Sequence, residues 1–320
     1  MTRRLLVLPD DTAQPILDAV GAARRTLLLR LKSLAASVLL EAVIKAASRG
    51  VGVRMLVSAA PASEDAAAAE LQSALAEAGV ECKFGNPKFA SSRQQALVTD
   101  DSTAIIVSLS WHQGGLDLTR DYAVVTTHRH EVREMTACFD ADWTDKGFSP
   151  RASSRLIWCP NNGRERVAEF IDRARTSIWM QNAPYQDMLI VERLVTAARR
   201  GVKLHLMMRP PVGSIPDKLI EHTAGARILQ DLGATIRAVS QHRLRAKIMM
   251  ADRARAIVGS IGLATGNLDT RRELAVEVSE AGVIRRLEAI LRGDWAVASK
   301  IDLSDESLLG KQDDLTDVSD

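Results

Sequence analysis

Short apolar runs alternate with segments of helical periodicity in the first half of the chain. Residues 5–8, Thr26–Leu31 and residues 51–57 are mostly apolar runs with the length of buried strands, and arginine interrupts the last two at Arg30 and Arg54. Between the first two runs, Ile16 and Val20 recur at the spacing of one helix face. Strand alternating with helix is typical of an α/β fold. We therefore predict helices packed on a largely parallel or mixed sheet.

The same order of elements occurs a second time. Residues 104–124 match residues 256–276 without a gap at an offset of 152, and further upstream the offset is 151. The second helix of each copy is followed by glycine, Gly50 or Gly201, which ends a helix by adopting a left-handed conformation. We predict two similar lobes related by a pseudo-two-fold axis, so that a site at their seam receives the same residues twice. The predicted domains are residues 1–150, residues 151–303 and an acidic tail at 304–320.

Composition limits the class of protein without naming its function. Hydrophobic residues make up 46% and charged residues 26% of 320 positions, as in ordinary globular proteins. The three cysteines have no metal-binding spacing, which favours a reducing compartment, so we expect a cytoplasmic protein. We also expect no signal peptide, since the first apolar run ends at Pro9, and no membrane-spanning segment of about 20 residues. We predict no metal site and no cofactor.

Charge is distributed unevenly along the chain. The net charge is +2, but the last twenty residues contribute −6, so the rest of the chain carries +8. A basic body suggests an anionic ligand. The acidic tail either competes for that anion site or is only a solvated terminus, and both interpretations stay open.

The candidate chemistry lies in a motif that ends a strand of the second copy. Lys247 is followed after four residues by Asp252, and Gly259-Ser260 comes seven residues after that aspartate. This spacing resembles the phospholipase D superfamily signature, His-x-Lys-x4-Asp followed by Gly-Ser-x-Asn. The resemblance is strongest to bacterial members similar to cardiolipin synthases and phosphatidyltransferases, and it covers about residues 5–298. It implies two phospholipase D-like lobes and a phosphodiester site between them.

The sequence departs from that signature at the reactive positions. Arg245 and Arg93 stand where the resemblance implies histidines, and Gln95 stands at the lysine position of the first copy. In the family, one histidine attacks phosphorus and the other protonates the leaving oxygen, which requires groups that titrate near neutral pH. Arginine keeps its proton, but it binds phosphate through a planar, bidentate fork. We therefore predict no catalytic residue and an anion clamp instead.

The predicted site has two parts. The phosphate-binding residues are expected to converge on the seam of the lobes, and the remaining motif positions are expected to be structural. The phosphate-binding set is Arg93, Arg245, Lys247, Ser108 and Ser260, and the structural set is Gln95, Asp100, Asp121, Asp252, Gly259 and Glu273. The arginines could instead be ordinary paired surface or interface residues, with the acidic residues as their partners.

Two histidines, His112 and His242, lie near the motif positions that lack one. His112 lies four residues after Ser108 and could enter the cleft from a loop. His242 lies three residues before Arg245, and an odd offset on a strand directs it to the opposite face. We expect His242 to be a poor replacement.

Three functions follow from these observations. The first is a non-catalytic phospholipase D-like protein that binds a phosphate-containing ligand or a partner protein in an assembly. The second is an active phosphodiesterase or phosphatidyltransferase with a rewired site. The third is nucleic-acid binding through the basic body. Peripheral membrane contact also stays open.

Overall fold

The computed structural model describes residues 3–34, 37–58, 66–86, 88–108, 119–210, 216–301 and 303. Two features of the sequence, His112 and the acidic tail at 304–320, lie outside the described residues.

The described residues of the first lobe form eight strands and four helices. In chain order they are β1 (Arg3–Leu8), α1 (Gln14–Gly21), β2 (Thr26–Leu31), α2 (Val38–Ala47), β3 (Gly52–Val57), α3 (Ala66–Glu77), β4 (Glu81–Phe84), β5 (Ser91–Ser92), β6 (Gln95–Thr99), β7 (Thr103–Val107), β8 (Thr119–Thr126) and α4 (Arg129–Trp143).

The second lobe repeats this order with small additions. Its elements are β9 (Leu156–Cys159), α5 (Gly163–Asp172), β10 (Ser177–Gln181), α6 (Met188–Arg199), β11 (Lys203–Met208), α7 (Pro216–Asp231), β12 (Thr235–Ala238), β13 (Arg243–Leu244), β14 (Ile248–Ala251), β15 (Arg255–Gly259), α8 (Thr265–Asp269), β16 (Arg271–Val278), α9 (Ala281–Val297) and β17 (Ser299–Lys300).

Each lobe is built on a mixed sheet. In the first lobe the order is β1-β8-β7-β6-β2-β3-β4, with β2, β3 and β4 parallel and the remaining pairs antiparallel. In the second lobe β9, β16, β15, β14, β10, β11 and β12 follow the same order and the same directions. The predicted α/β fold with two similar lobes is confirmed.

The two sheets face each other across a shared core. That core contains apolar side chains from both sheets and from α4 and α9, with Tyr122 and Trp158 among its fully buried members. The other face of each sheet packs against its own helices, α1–α3 in the first lobe and α5–α8 in the second. Burial on both faces explains why the strand sequences are mostly apolar.

Helix ends follow the signals expected from the sequence. Ser37 and Asp187 cap α2 and α6, each accepting a hydrogen bond from a backbone N–H in the first turn. Gly50 and Gly201 follow the same helices with φ of 89° and 87°, a conformation that glycine adopts without strain. The last helix of the first lobe, α4, ends at Trp143, whereas α9 continues two residues past the matching Trp295, to Val297. Among the described helices, none has both the length and the apolar character needed to cross a bilayer.

Candidate functional site

The lobes exchange a short strand at their seam. In the first lobe, β5 pairs with β16 of the second, while β13 of the second lobe pairs with β8 of the first. Directly after β5, the backbone N–H groups of Arg93 and Gln94 donate to the carbonyl oxygen of Arg272, at 3.0 and 3.1 Å. Directly after β13, those of Arg245 and Ala246 donate to the carbonyl of Arg120, at 3.2 and 3.1 Å. The backbone of each motif arginine is therefore held by the opposite lobe.

Buried ion pairs hold the residues that accept these bonds. The Arg272 guanidinium donates to both carboxylate oxygens of Asp142 in the first lobe, at 2.9 and 3.0 Å. Arg120 donates to Asp294 in the second lobe at 2.9 Å. All four residues are buried. Because hydrogen-bonded ion pairs are directional, and the Arg272–Asp142 pair is bidentate, they set the relative orientation of the two lobes at the seam.

A cleft of about 710 Å³ opens at this seam. All five residues predicted to bind phosphate line it, together with Gln95. Cationic side chains dominate its wall: Lys32, Arg93, Arg209, Arg243, Arg245 and Lys247. No Asp or Glu and no Phe, Tyr or Trp lines the cleft, within the ranges that the structure describes.

The cleft residues not predicted from the sequence include three cations and one side-chain amide. Lys32 and Arg209 come one residue after β2 and β11, and Asn182 comes one residue after β10. The carboxyl ends of neighbouring parallel strands meet at one edge of a sheet, where binding crevices form, so their position was a usable signal. Arg243 lies on β13, whose exchange between lobes is not visible in the sequence.

The prediction for His242 was wrong. His242 lines the cleft. Side chains alternate between faces only within one continuous strand, but β13 contains only two residues and ends before Arg245. Positions outside a strand do not alternate between faces, so the odd offset carried no information here.

The motif aspartates have a structural role at the far ends of the sheets. Asp100 accepts hydrogen bonds from the backbone N–H groups of residues 24, 25 and 26, and Asp252 accepts from those of residues 175, 176 and 177. These bonds to the ionised form help to lower the pKa of both carboxyls, against the opposing effect of burial. Both residues adopt positive φ, 51° and 56°, which aspartate tolerates in tight turns. This geometry supports their predicted structural role.

The two motif serines bridge neighbouring strands beside the cleft. Ser108 donates to Asp121 at 3.0 Å and accepts from the backbone N–H of Tyr122 at 2.9 Å. Ser260 accepts from the N–H of Leu274 at 3.1 Å and lies 3.3 Å from its carbonyl oxygen. Each hydroxyl oxygen has a second lone pair, which can accept a hydrogen bond from a ligand or a water.

Gly259 occupies a position that no larger residue could take unchanged. A Cβ atom there would lie 2.3 Å from the carbonyl oxygen of Leu274 and 2.4 Å from the Cα of Ala275. The two strands β15 and β16 approach closely at this point, which is a reason for glycine at the predicted structural position.

Two fully buried carboxyls lie at the base of the arginine cluster. Burial raises the pKa of Asp121 to about 7, although Ser108 and the cations of Arg245 and Lys247 oppose the rise. Burial likewise raises the pKa of Glu273 to about 8, although Ser260 and the cations of Arg93, Arg271 and Lys247 oppose the rise. Both groups therefore exchange their protons near neutral pH rather than acting as permanent counter-ions.

The cations of the site repel one another. Burial lowers the pKa of Lys247 to about 8, and its ammonium donates to the carbonyl oxygen of Ala183 at 2.7 Å. Burial and neighbouring Arg243 lower the pKa of Arg245. Excess positive charge in a half-buried cleft is stabilised when an anion binds, so the cleft is electrostatically suited to one. Within the described ranges, no three His, Cys, Asp or Glu side chains are grouped as metal ligands, and we assign no metal site.

Comparisons with known proteins agree with this architecture. The phosphatidylserine synthase of Haemophilus influenzae Rd KW20 superimposes with a TM-score of 0.74 at 10% identity, over 98% of this chain and 93% of that one. The polyphosphate kinase of Porphyromonas gingivalis superimposes with a TM-score of 0.73 at 15% identity, over 91% of this chain. The chain spans 46% of the length of that kinase. A search of curated proteins finds no match.

The sequence itself matches one protein family in both lobes. The family described as "Cardiolipin synthase, PLD-like domain" matches residues 16–143 and 167–295, which together exceed half of the chain. Each match contains one copy of the repeat and one of the two motif arginines. The chain therefore belongs to the phospholipase D-like family, as a two-lobed member with its candidate site at the seam.

Proposed function

We propose that the protein binds a phosphate-containing ligand in the seam cleft and does not cleave it. The observation that carries the proposal is the wall of the cleft, which presents six cationic side chains and no carboxylate among the described residues. Arg93 and Arg245 occupy the positions of the family's reactive histidines, and a guanidinium binds phosphate without offering a nucleophile or a proton near neutral pH. Both structural neighbours are named for phosphate-containing compounds, which fits this class of ligand.

A calorimetric titration with sodium tripolyphosphate tests the binding. We expect the wild-type protein to bind and the Arg93→Ala/Arg245→Ala variant to lose about a hundredfold in affinity, since two charge-assisted hydrogen bonds are removed. The matched control is Arg24→Ala/Arg199→Ala, which removes one exposed arginine from each lobe at the opposite ends of the sheets. Equal losses in the two double variants would reduce the effect to overall charge and contradict the proposal.

A turnover assay with bis(p-nitrophenyl) phosphate tests the absence of cleavage. We expect the wild-type rate to equal that of the Arg93→Ala/Arg245→Ala variant. A rate well above that control would contradict the non-catalytic proposal.

One observation favours a rewired enzyme as the second candidate. His242 lines the cleft together with both motif arginines, and histidine titrates near neutral pH. The same turnover assay separates the candidates: activity that disappears in His242→Ala but survives in the exposed-arginine control would identify a catalytic histidine.

Nucleic-acid binding is the less favoured alternative. Proteins that bind single strands generally stack bases on aromatic side chains, and none lines the described wall of this cleft. A titration with a single-stranded oligonucleotide at increasing salt concentration would show whether binding is more than electrostatic.

A further inference from the structure

The motif lysine is present in one lobe and absent from the other. In the second lobe Lys247 lies next to β14 and lines the cleft, while the matching position of the first lobe is Gln95 on β6. Both side chains reach the same cavity. On the motif alone, the first half of the site would therefore lack an ammonium group.

The contact made by Lys247 shows where such an ammonium group lies relative to the neighbouring strand. Its Nζ donates to the carbonyl oxygen of Ala183, two residues beyond the end of β10, at 2.7 Å. By the upstream offset of 151, the residue of the first lobe that matches Ala183 is Lys32. In the second lobe, the backbone carbonyl of Ala183 binds the Lys247 ammonium. In the first lobe, the matching position is itself a lysine, Lys32.

Strand register supports this equivalence. Arg30 lies opposite Ala96 in the pairing of β2 with β6, and Gln181 lies opposite Ile248 in the pairing of β10 with β14. Extending each antiparallel pairing by one residue places residue 31 opposite Gln95 and residue 182 opposite Lys247. Lys32 and Ala183 are the residues that follow 31 and 182, so they occupy matching positions in the two lobes.

The surroundings of Lys32 are those of the site. Lys32 is exposed and lines the cleft. Burial of part of the side chain lowers its pKa, and the charges of Arg93, Arg245 and Arg271 lower it further. Proximity to both motif arginines places its ammonium within the cluster that faces the ligand.

We infer that Lys32 is a phosphate-binding residue that replaces the lysine lost at Gln95, having moved from one strand to its neighbour. The inference rests on the proposed function, because it assigns a further ligand-binding group to the same cleft. It predicts that the ligand carries more than one anionic group, with one contacting Lys247 and Arg245 and another contacting Lys32 and Arg93.

Moving the lysine from position 32 to position 95, and measuring the affinity for sodium tripolyphosphate, tests the inference. Lys32→Gln should weaken binding about tenfold or more, as expected for the loss of one charge-assisted hydrogen bond. Adding Gln95→Lys to that variant should restore most of the affinity. The matched control is Lys45→Gln, an exposed lysine of α2, which should bind like the wild type.

The reciprocal pair makes the test independent of how well a lysine is tolerated at Gln95. Lys247→Gln should lose affinity, and Lys247→Gln/Ala183→Lys, which copies the arrangement of the first lobe, should regain part of it. Inorganic phosphate should show a smaller effect of Lys32→Gln than tripolyphosphate, because it offers one group instead of three.

The outcomes separate the inference from the function on which it rests. Wild-type binding with equal affinities in Lys32→Gln and Lys45→Gln would overturn the role of Lys32 and leave the phosphate site intact. A loss in Lys32→Gln that neither transplanted lysine restores would overturn the relocation. No binding by the wild type would overturn both proposals.

Discussion

The two lobes have nearly the same scaffold and different side chains at the cleft. Asp100 and Asp252 accept the same three backbone hydrogen bonds, and Arg120 and Arg272 reach across the seam to matching aspartates. At the cleft, by contrast, the position of Lys247 in the second lobe corresponds to Gln95 in the first. The positively charged lining comes mainly from the second lobe. Matched contacts thus hold the two scaffolds in the same geometry, whereas the cleft positions differ in charge between the lobes.

The cross-lobe ion pairs should give the largest difference between the lobes. Asp142 accepts from both Arg272 and Arg30, whereas Asp294 accepts from Arg120 and from the neutral Gln181. Asp142→Ala leaves two buried guanidiniums without their carboxylate, and we expect a loss of about 3–5 kcal/mol in the free energy of unfolding. Asp294→Ala should cost less, since Arg120 keeps its contact with Asp10.

Urea unfolding of the two variants measures that difference. Equal losses would show that the lobes contribute alike to the seam and that the extra guanidinium of the first lobe has no energetic consequence. Asp142→Asn is the conservative control, because it preserves the shape and removes only the charge.

The motif aspartates should show a smaller effect, confined to stability. Asp100→Ala and Asp252→Ala each remove the acceptor of three backbone N–H groups, and we expect losses of about 1–3 kcal/mol. Asp252 also accepts from the Thr176 hydroxyl at 2.9 Å, so its replacement should cost more. Thermal unfolding measures the loss, and a tripolyphosphate titration should give wild-type affinity for both variants. A selective loss of affinity would place the aspartates in the site instead.

The buried carboxyls should give the smallest effect, seen as a pH dependence of anion binding. As pH rises through about 7 and then about 8, Asp121 and Glu273 ionise and Lys247 loses its proton, so the cleft becomes less positive. Affinity for sulfate, whose own charge is constant in this range, should therefore fall. Glu273→Gln should bind sulfate about tenfold more tightly than the wild type at pH 9 and equally at pH 6, since the variant lacks the negative charge that Glu273 acquires beside the cleft.

Stability provides a second readout of the same carboxyl. The folded state holds the Glu273 proton more tightly than the unfolded state, so its contribution to stability is lost as pH rises from about 4.5 to about 8. Glu273→Gln should have a flatter stability profile across that window. A variant whose profile parallels the wild type would show that Glu273 does not titrate there.

Much of the fold could be predicted because it is encoded locally. The strands Thr26–Leu31 and Ser177–Gln181 stand out as apolar runs, Gly50 and Gly201 end helices through backbone conformation, and the repeat exposes the two lobes. The convergence of Arg93 and Arg245 followed from the same repeat, since matched positions meet at a pseudo-two-fold axis.

The rest depends on contacts between residues distant in sequence. The exchange of β5 and β13 involves two residues each and has no periodicity to detect, so the position of His242 was misjudged and Arg243 was missed. Lys32 and Arg209 enter the site only because parallel strands end together at its edge. The protonation of Asp121 and Glu273 is set by the burial that the docked lobes impose.

The sequence by itself thus determined the elements, the duplication and the identity of the residues at the motif positions, because these follow from spacing along the chain. Only the tertiary structure decided which cations share one cleft and which carboxyls serve the scaffold. Coulomb interactions and desolvation act through space over a few ångströms, and that proximity exists only after the lobes have docked.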